Sequence, residues 1–114
     1  MEFNTEKIGD ITVVTPLAND IDVSNADDFK TGIIPILEGN SKIIFDMKQV
    51  EFLDSSGCGA LLSCLRQMNK SGGNLRLCGV QKAVRTLLEI VRMHQIIQIF
   101  NTMEEAVSSL QTSG

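Results

Sequence analysis

Phe52-Leu53-Asp54-Ser55-Ser56-Gly57-Cys58-Gly59 reads as the end of a connection, Met47 to Leu53, turning into a helix. A hydrophobic approach stops at an acid, two hydroxyls and two glycines follow, and a helical pattern starts at Ala60. Asp54 takes the position of a helix N-cap, with Ser55 and Ser56 in the first turn. The N–H groups of that turn have no partner within the helix. A hydroxyl there is exposed near the positive end of the helix. Two readings of the serines are open. They satisfy the orphan N–H groups, or they face a partner, with the small residues around them leaving room for its surface.

Working outward toward the N-terminus, Glu2 to Ile8 and Ile11 to Leu17 read as two strands. Gly9-Asp10 between them suits a type II′ hairpin turn, and Pro16 should end the second strand or lie on an edge. Ala18 to Val23 is a loop carrying Asp20 and Asp22. Ser24 is the expected N-cap of a helix marked by Ala26, Phe29, Ile33 and Leu37, which Pro35 should kink or shorten. Gly39-Asn40 stops it. Lys42 to Asp46 is a continuous apolar run, as an interior strand covered on both faces would be.

Toward the C-terminus, a helix from about Ser56 to Asn69 carries Leu61, Leu65 and Met68 as one stripe, widened by Cys58 and Leu62. Asn74 to Cys78 alternates and reads as a strand. Val80, Val84, Leu87, Leu88 and Val91 mark a third helix, and Ile96 to Phe100 a last short strand. Thr102 and Glu105 form a capping box for a final helix with Met103, Ala106, Val107 and Leu110 on its apolar side. This order predicts an α/β fold: a small mixed β-sheet packed with about four α-helices, joined by right-handed crossovers. The 114 residues suit one domain, 1–114, with a polar, frayed tail after about 110.

Composition narrows the function. The formal net charge is -4 and Tyr and Trp are absent, which argues against nucleic-acid binding: no basic surface and no stacking platform. No apolar run is long enough for a bilayer, and Met1-Glu2-Phe3-Asn4 has no secretory character, so a cytoplasmic location without membrane insertion is expected. Cys58, Cys64 and Cys78 are odd in number and contain no C-x-x-C, so they read as small buried apolar residues in a reducing compartment. A hydrolase would need a base beside Ser55, yet the single histidine, His94, lies far along the chain and no Gly-x-Ser-x-Gly elbow is present. Gly57-Cys58-Gly59 lacks the spacing of a phosphate loop and reads as a close backbone approach at a strand-to-helix corner. Asp20, Asp22, Asp46 and Asp54 match no calcium loop. The expectation is a protein with no enzymatic activity, metal or cofactor.

The stretch around Ser55 resembles the Met-Asp-Ser-Ser/Thr-Gly-Leu-Gly signature of STAS-domain anti-sigma factor antagonists. Asp20-Ile21-Asp22 resembles that family's acidic loop, and Ser71-Gly72-Gly73-Asn74-Leu75-Arg76-Leu77 its Gly-Gly-x-Leu-x-Leu strand. Two departures stand out: Cys58 replaces the motif's Leu, and Asn19 replaces a Gly before the loop acid. The resemblance implies a single STAS domain that binds an anti-sigma factor, itself a serine kinase of the histidine-kinase-like type. It also implies phosphorylation at Ser55 and a PP2C-type phosphatase that reverses it. Asp54, Ser56 and Gly57 would shape the partner-binding site with Ser55, and Asp20 and Asp22 would lie beside it. The alternative is a structural STAS subunit, either a scaffold or a cytosolic accessory of a membrane transporter.

Overall fold

The run Ile11-Thr12-Val13-Val14-Thr15 suits a pleated, buried surface because its residues are mostly β-branched. It forms β2 (Ile11–Pro16), which is buried throughout in a computed structural model describing residues 1–111. β1 (Phe3–Ile8) pairs antiparallel with it, from Phe3↔Pro16 to Ile8↔Ile11. Gly9 in the turn has φ +63° while Asp10 has no positive φ, as a II′ turn requires and a I′ turn does not. Pro16 stands at the strand's end, where its missing donor does least harm.

β4 (Lys42–Asp46), β6 (Asn74–Cys78) and β7 (Gln98–Phe100) continue the sheet in parallel, giving the order β1-β2-β4-β6-β7. The apolar run of β4 is explained by what covers it. Ile43 and Phe45 enter one core with Phe29, Ile33, Leu61 and Leu88. Ile44 enters a second core with Ile11, Val13, Ala106 and Leu110. These residues assign the layers. α1 (Ala26–Glu38), α2 (Ser55–Lys70) and α3 (Lys82–Ile90) pack on one face, and α4 (Met103–Gln111) packs on the other.

Phe29 anchors α1, with its ring edge-on to Phe3 at 5.6 Å and to Phe45 at 6.1 Å. The capping box is made in full: the Glu105 N–H donates to Thr102 Oγ1 and the Thr102 N–H to Glu105 Oε1, each at 3.1 Å. The three cysteines are free and buried. Burial pushes the Cys64 and Cys78 thiols up to about 12, and burial, then the charge of Asp54, raises Cys58. The polar tail expected beyond Leu110 lies, from 112 onward, outside the described residues.

Four local expectations need correction. The N-cap of α1 is Asn25, not Ser24: the first helical N–H, from Phe29, donates to the Asn25 carbonyl at 2.9 Å, while the Ser24 hydroxyl donates to Asp22 Oδ1. α1 runs through Pro35; one absent N–H near its C-terminal end is outweighed by the burial of Ile33 and Leu37. The third helix ends at Ile90, followed by a 3₁₀ turn at Met93–Gln95 with Arg92 at φ +63°, so β7 begins only at Gln98. The segments read as plain connections hold two further strands, β3 (Asp20–Ile21) and β5 (Phe52–Leu53), paired in parallel apart from the main sheet.

Candidate functional site

β3 and β5 bring the acidic loop and the Ser55 turn together. Their register is Asp20↔Phe52 and Ile21↔Leu53. The Asn19 carbonyl adds bonds from the N–H groups of Glu51 at 2.6 Å and Phe52 at 3.2 Å. Directly after β5, Asp54 is extended (φ −111°, ψ −169°), the conformation an N-cap needs. Its Oδ1 accepts the Gly57 N–H at 2.9 Å, as capping predicts. Its Oδ2 accepts the Val23 N–H, also at 2.9 Å. One carboxylate therefore caps α2 and ties down the loop that follows β3.

Gly57 completes the joint. A Cβ at this position would overlap the Ile21 carbonyl oxygen and stand 3.0 Å from the Ile21 carbonyl carbon and Leu53 Cδ2. The backbones of α2 and β3 meet there as closely as they do because no side chain intervenes. At Gly59 the surroundings are open, with nothing within 4 Å of a Cβ.

Asp54, not a serine, caps α2, so the capping reading of the serines does not hold. Among the described residues neither the Ser55 nor the Ser56 hydroxyl makes a hydrogen bond, because Asp54 has taken the capping role. Ser55 is exposed and Ser56 half-buried. Ser55 Oγ thus stands free at the N-terminal end of a 16-residue helix. No base is hydrogen-bonded to it, and His94 lies exposed in the 3₁₀ turn after α3.

The acids group at the joint with Asp54, the residue before Ser55. The Asp20 carboxyl is raised above the ordinary 3.8, first by its hydrogen bond with Asp22, and also by the nearby charges of Asp22 and Asp54. The Asp22 carboxylate is lowered, first by Asp20 and then by the hydroxyl and N–H of Ser24. Of the two carboxylates, Asp20 is therefore the first to take a proton as pH falls. Asn25 braces the same loop: its Oδ1 accepts the Asp22 N–H and its amide donates to the Asp20 carbonyl, each at 2.9 Å. Asp20, Asp22, Asp54, Ser55, Ser56 and Gly57 are thus brought to one corner.

Two apolar neighbours were not foreseen. Val23 is 79% exposed and Phe52 54% exposed, one on each side of the joint. Strand alternation around the buried Leu53 could have placed Phe52 outward. Val23 follows Asp22 in the acidic loop, and the non-local bond from its N–H to Asp54 fixes it at the site. Among the described residues no three His, Cys, Asp or Glu side chains are grouped as metal ligands, and no helix is long and apolar enough to cross a membrane.

Comparison with known proteins agrees with this architecture. The anti-sigma-B factor antagonist of Bacillus subtilis (strain 168) is 28% identical over 91 residues, which span 80% of this chain and 84% of that protein. The crystal structure of the Thermotoga maritima protein TM1081 superposes with a TM-score of 0.87 at 25% identity, covering 96% of this chain and 94% of that one. The anti-sigma factor antagonist SpoIIAA in its unphosphorylated form superposes with a TM-score of 0.70 at 20% identity, over 97% and 99% of the two chains, and so shares the fold. The model of the STAS domain family matches residues 2–106, and with a mixed sheet and four helices in that family's arrangement the chain belongs to the STAS domain family.

Proposed function

We propose that this protein is a cytoplasmic anti-sigma factor antagonist that works by partner switching. In its unphosphorylated form it docks on an anti-sigma factor that is also a serine kinase. Phosphorylation of Ser55 releases it, and a PP2C-type phosphatase restores the docking form. The observation that carries this reading is the free, exposed hydroxyl of Ser55 at the start of α2, beside the carboxyls of Asp20, Asp22 and Asp54.

The chemistry follows from charge. A phosphoryl group adds about -1.5 to -2 charges at neutral pH. The α2 N-terminus tolerates an anion, so the domain keeps its fold. The joint beneath is held by backbone pairing and by both oxygens of Asp54, so release needs no rearrangement. The docking surface changes instead. A bulky anion now joins three carboxyls at the centre of the contact, and like-charge juxtaposition there costs several kcal/mol. Moving a partner from mostly bound to mostly free takes about 5 kcal/mol.

The test is to incubate the protein with ATP and each purified histidine-kinase-like serine kinase from the same genome, then map the product by mass spectrometry. A single phosphate on Ser55, lost in Ser55→Ala, is the expected result. Phosphate placed elsewhere and retained in Ser55→Ala would remove the switch. Stable retention in a scaffold or transporter assembly, with no kinase acting on Ser55, would favour the structural-subunit alternative.

A further inference from the structure

The seam between α1 and α2 leads away from Ser56. It opens first between Val23, Ala26, Asp27 and Lys30 on one side and Ser56, Gly59 and Ser63 on the other. Farther along it deepens into a hollow of about 110 Å³ lined by Ile33, Ile34, Leu37 and Cys64. Lys30 and Ser63 border both openings, so the two form one groove. On α2 the line from Ser56 to Gln67 covers eleven helical steps, about 16 Å at the usual rise.

We infer that this groove receives an aliphatic side chain of the docking partner, set beside a carboxylate that pairs with Lys30. The inference rests on the reading of Ser55 as the docking centre and extends the contact beyond it. Three observations fix the occupant's chemistry. The hollow, about 110 Å³, takes one partner side chain, and the wider, open mouth of about 410 Å³ leaves room for the partner's backbone to approach. The floor of the hollow is apolar, and its thiol, at Cys64, is pushed up to about 12 by burial and so is a packing group rather than a nucleophile.

The third observation is charge. Lys30 is the single charged residue bordering the hollow. Its existing ion pair, with Asp27 at 3.4 Å, joins groups 42% and 97% exposed, and an exposed pair of this kind exchanges partners at little cost. Asp27 lines only the mouth of the groove, whereas Lys30 also borders the hollow, so from the hollow a partner's acid meets Lys30 alone, with the acidic joint of Asp20, Asp22 and Asp54 beyond the mouth. A partner with a cation toward Ser55 and an acid toward Lys30 docks in one direction only. Val23, exposed at the junction, carries the apolar surface from one end to the other.

The experiment measures calorimetric Kd values for the kinase that modifies Ser55, using wild type, Lys30→Glu, Ile34→Asp and Ser55→Asp. Ile34 is 42% exposed, and circular dichroism checks that each variant is folded. Lys30→Glu and Ile34→Asp should each weaken binding at least about tenfold, and one acid-to-lysine change on the kinase should restore Lys30→Glu. Binding that is lost in Ser55→Asp but unchanged in both groove variants overturns the groove while leaving the proposed function intact. Equal binding of wild type and Ser55→Asp overturns the function, and the groove with it.

Discussion

Gly57→Ala asks whether the joint between α2 and β3 depends on a missing side chain. The new methyl would overlap the Ile21 carbonyl oxygen and sit 3.0 Å from Leu53 Cδ2, where ordinary contact starts at 3.4 Å. Its main obstacle is backbone held in the β3–β5 pairing, so no rotamer change relieves the overlap. Overpacking of this kind costs about 1–3 kcal/mol and occasionally more. Better helix propensity returns at most ~1 kcal/mol. The net expectation is a loss of about 2 kcal/mol, lowering Tm by roughly 8 °C for a domain of this size. Gly59→Ala is the internal control. It gains the same propensity with nothing within 4 Å of the new methyl, and should raise stability by up to about 1 kcal/mol. Thermal and urea unfolding followed by circular dichroism measures both. A Gly57→Ala protein as stable as wild type, or a pair of variants shifted equally, would refute the close approach.

Further expectations concern the cap, the acids and the far end of the chain. Asp54→Ala removes the acceptors of Gly57 and Val23 together, so it should destabilise by about 1–3 kcal/mol in urea unfolding, more than an ordinary cap loss. Carboxyl NMR titration should find Asp20 above and Asp22 below the ordinary value of 3.8, with Asp22 rising in Asp20→Ala; equal values in wild type would contradict the shared hydrogen bond. By linkage, the Asp22 contribution to stability is present above its unfolded value and lost as pH falls through its lowered folded value. The Asp20 contribution is present below its unfolded value and lost as pH rises through its raised folded value, so the two oppose each other. Thr102→Ala breaks the capping box of α4 and should lose about 1 kcal/mol, a Tm drop near 5 °C, whereas an unchanged Tm would mean that packing alone fixes α4.

Where local chemistry decided structure, the sequence could be read. Period-two alternation gave β6, the unbroken apolar run gave β4, and Thr102 with Glu105 gave the start of α4. Asp54 was legible as a cap for the same reason: its partner Gly57 lies three residues away. Its second partner, Val23, lies 31 residues away, and no local pattern encodes that bond. β3 and β5 escaped notice because two-residue strands have no measurable period and pair across the chain. The start of α1 at Asn25 was not legible because its side chain does not cap the helix but braces the preceding loop at Asp20 and Asp22. The freedom of Ser55 and Ser56 was undecidable for a related reason. A first-turn hydroxyl can also take an orphan N–H, and no local pattern shows that both serine hydroxyls are left without a bond.

The most direct measurement compares kinase affinity before and after a single chemical change. The protein is prepared with serine and with phosphoserine at position 55, and both forms are titrated into the kinase by calorimetry. The unphosphorylated form should bind at least 100-fold more tightly, a difference of about 2.7 kcal/mol, while the two forms unfold at similar temperatures. Equal affinity for the two forms would contradict the claim that the charge on Ser55 decides whether a partner can dock.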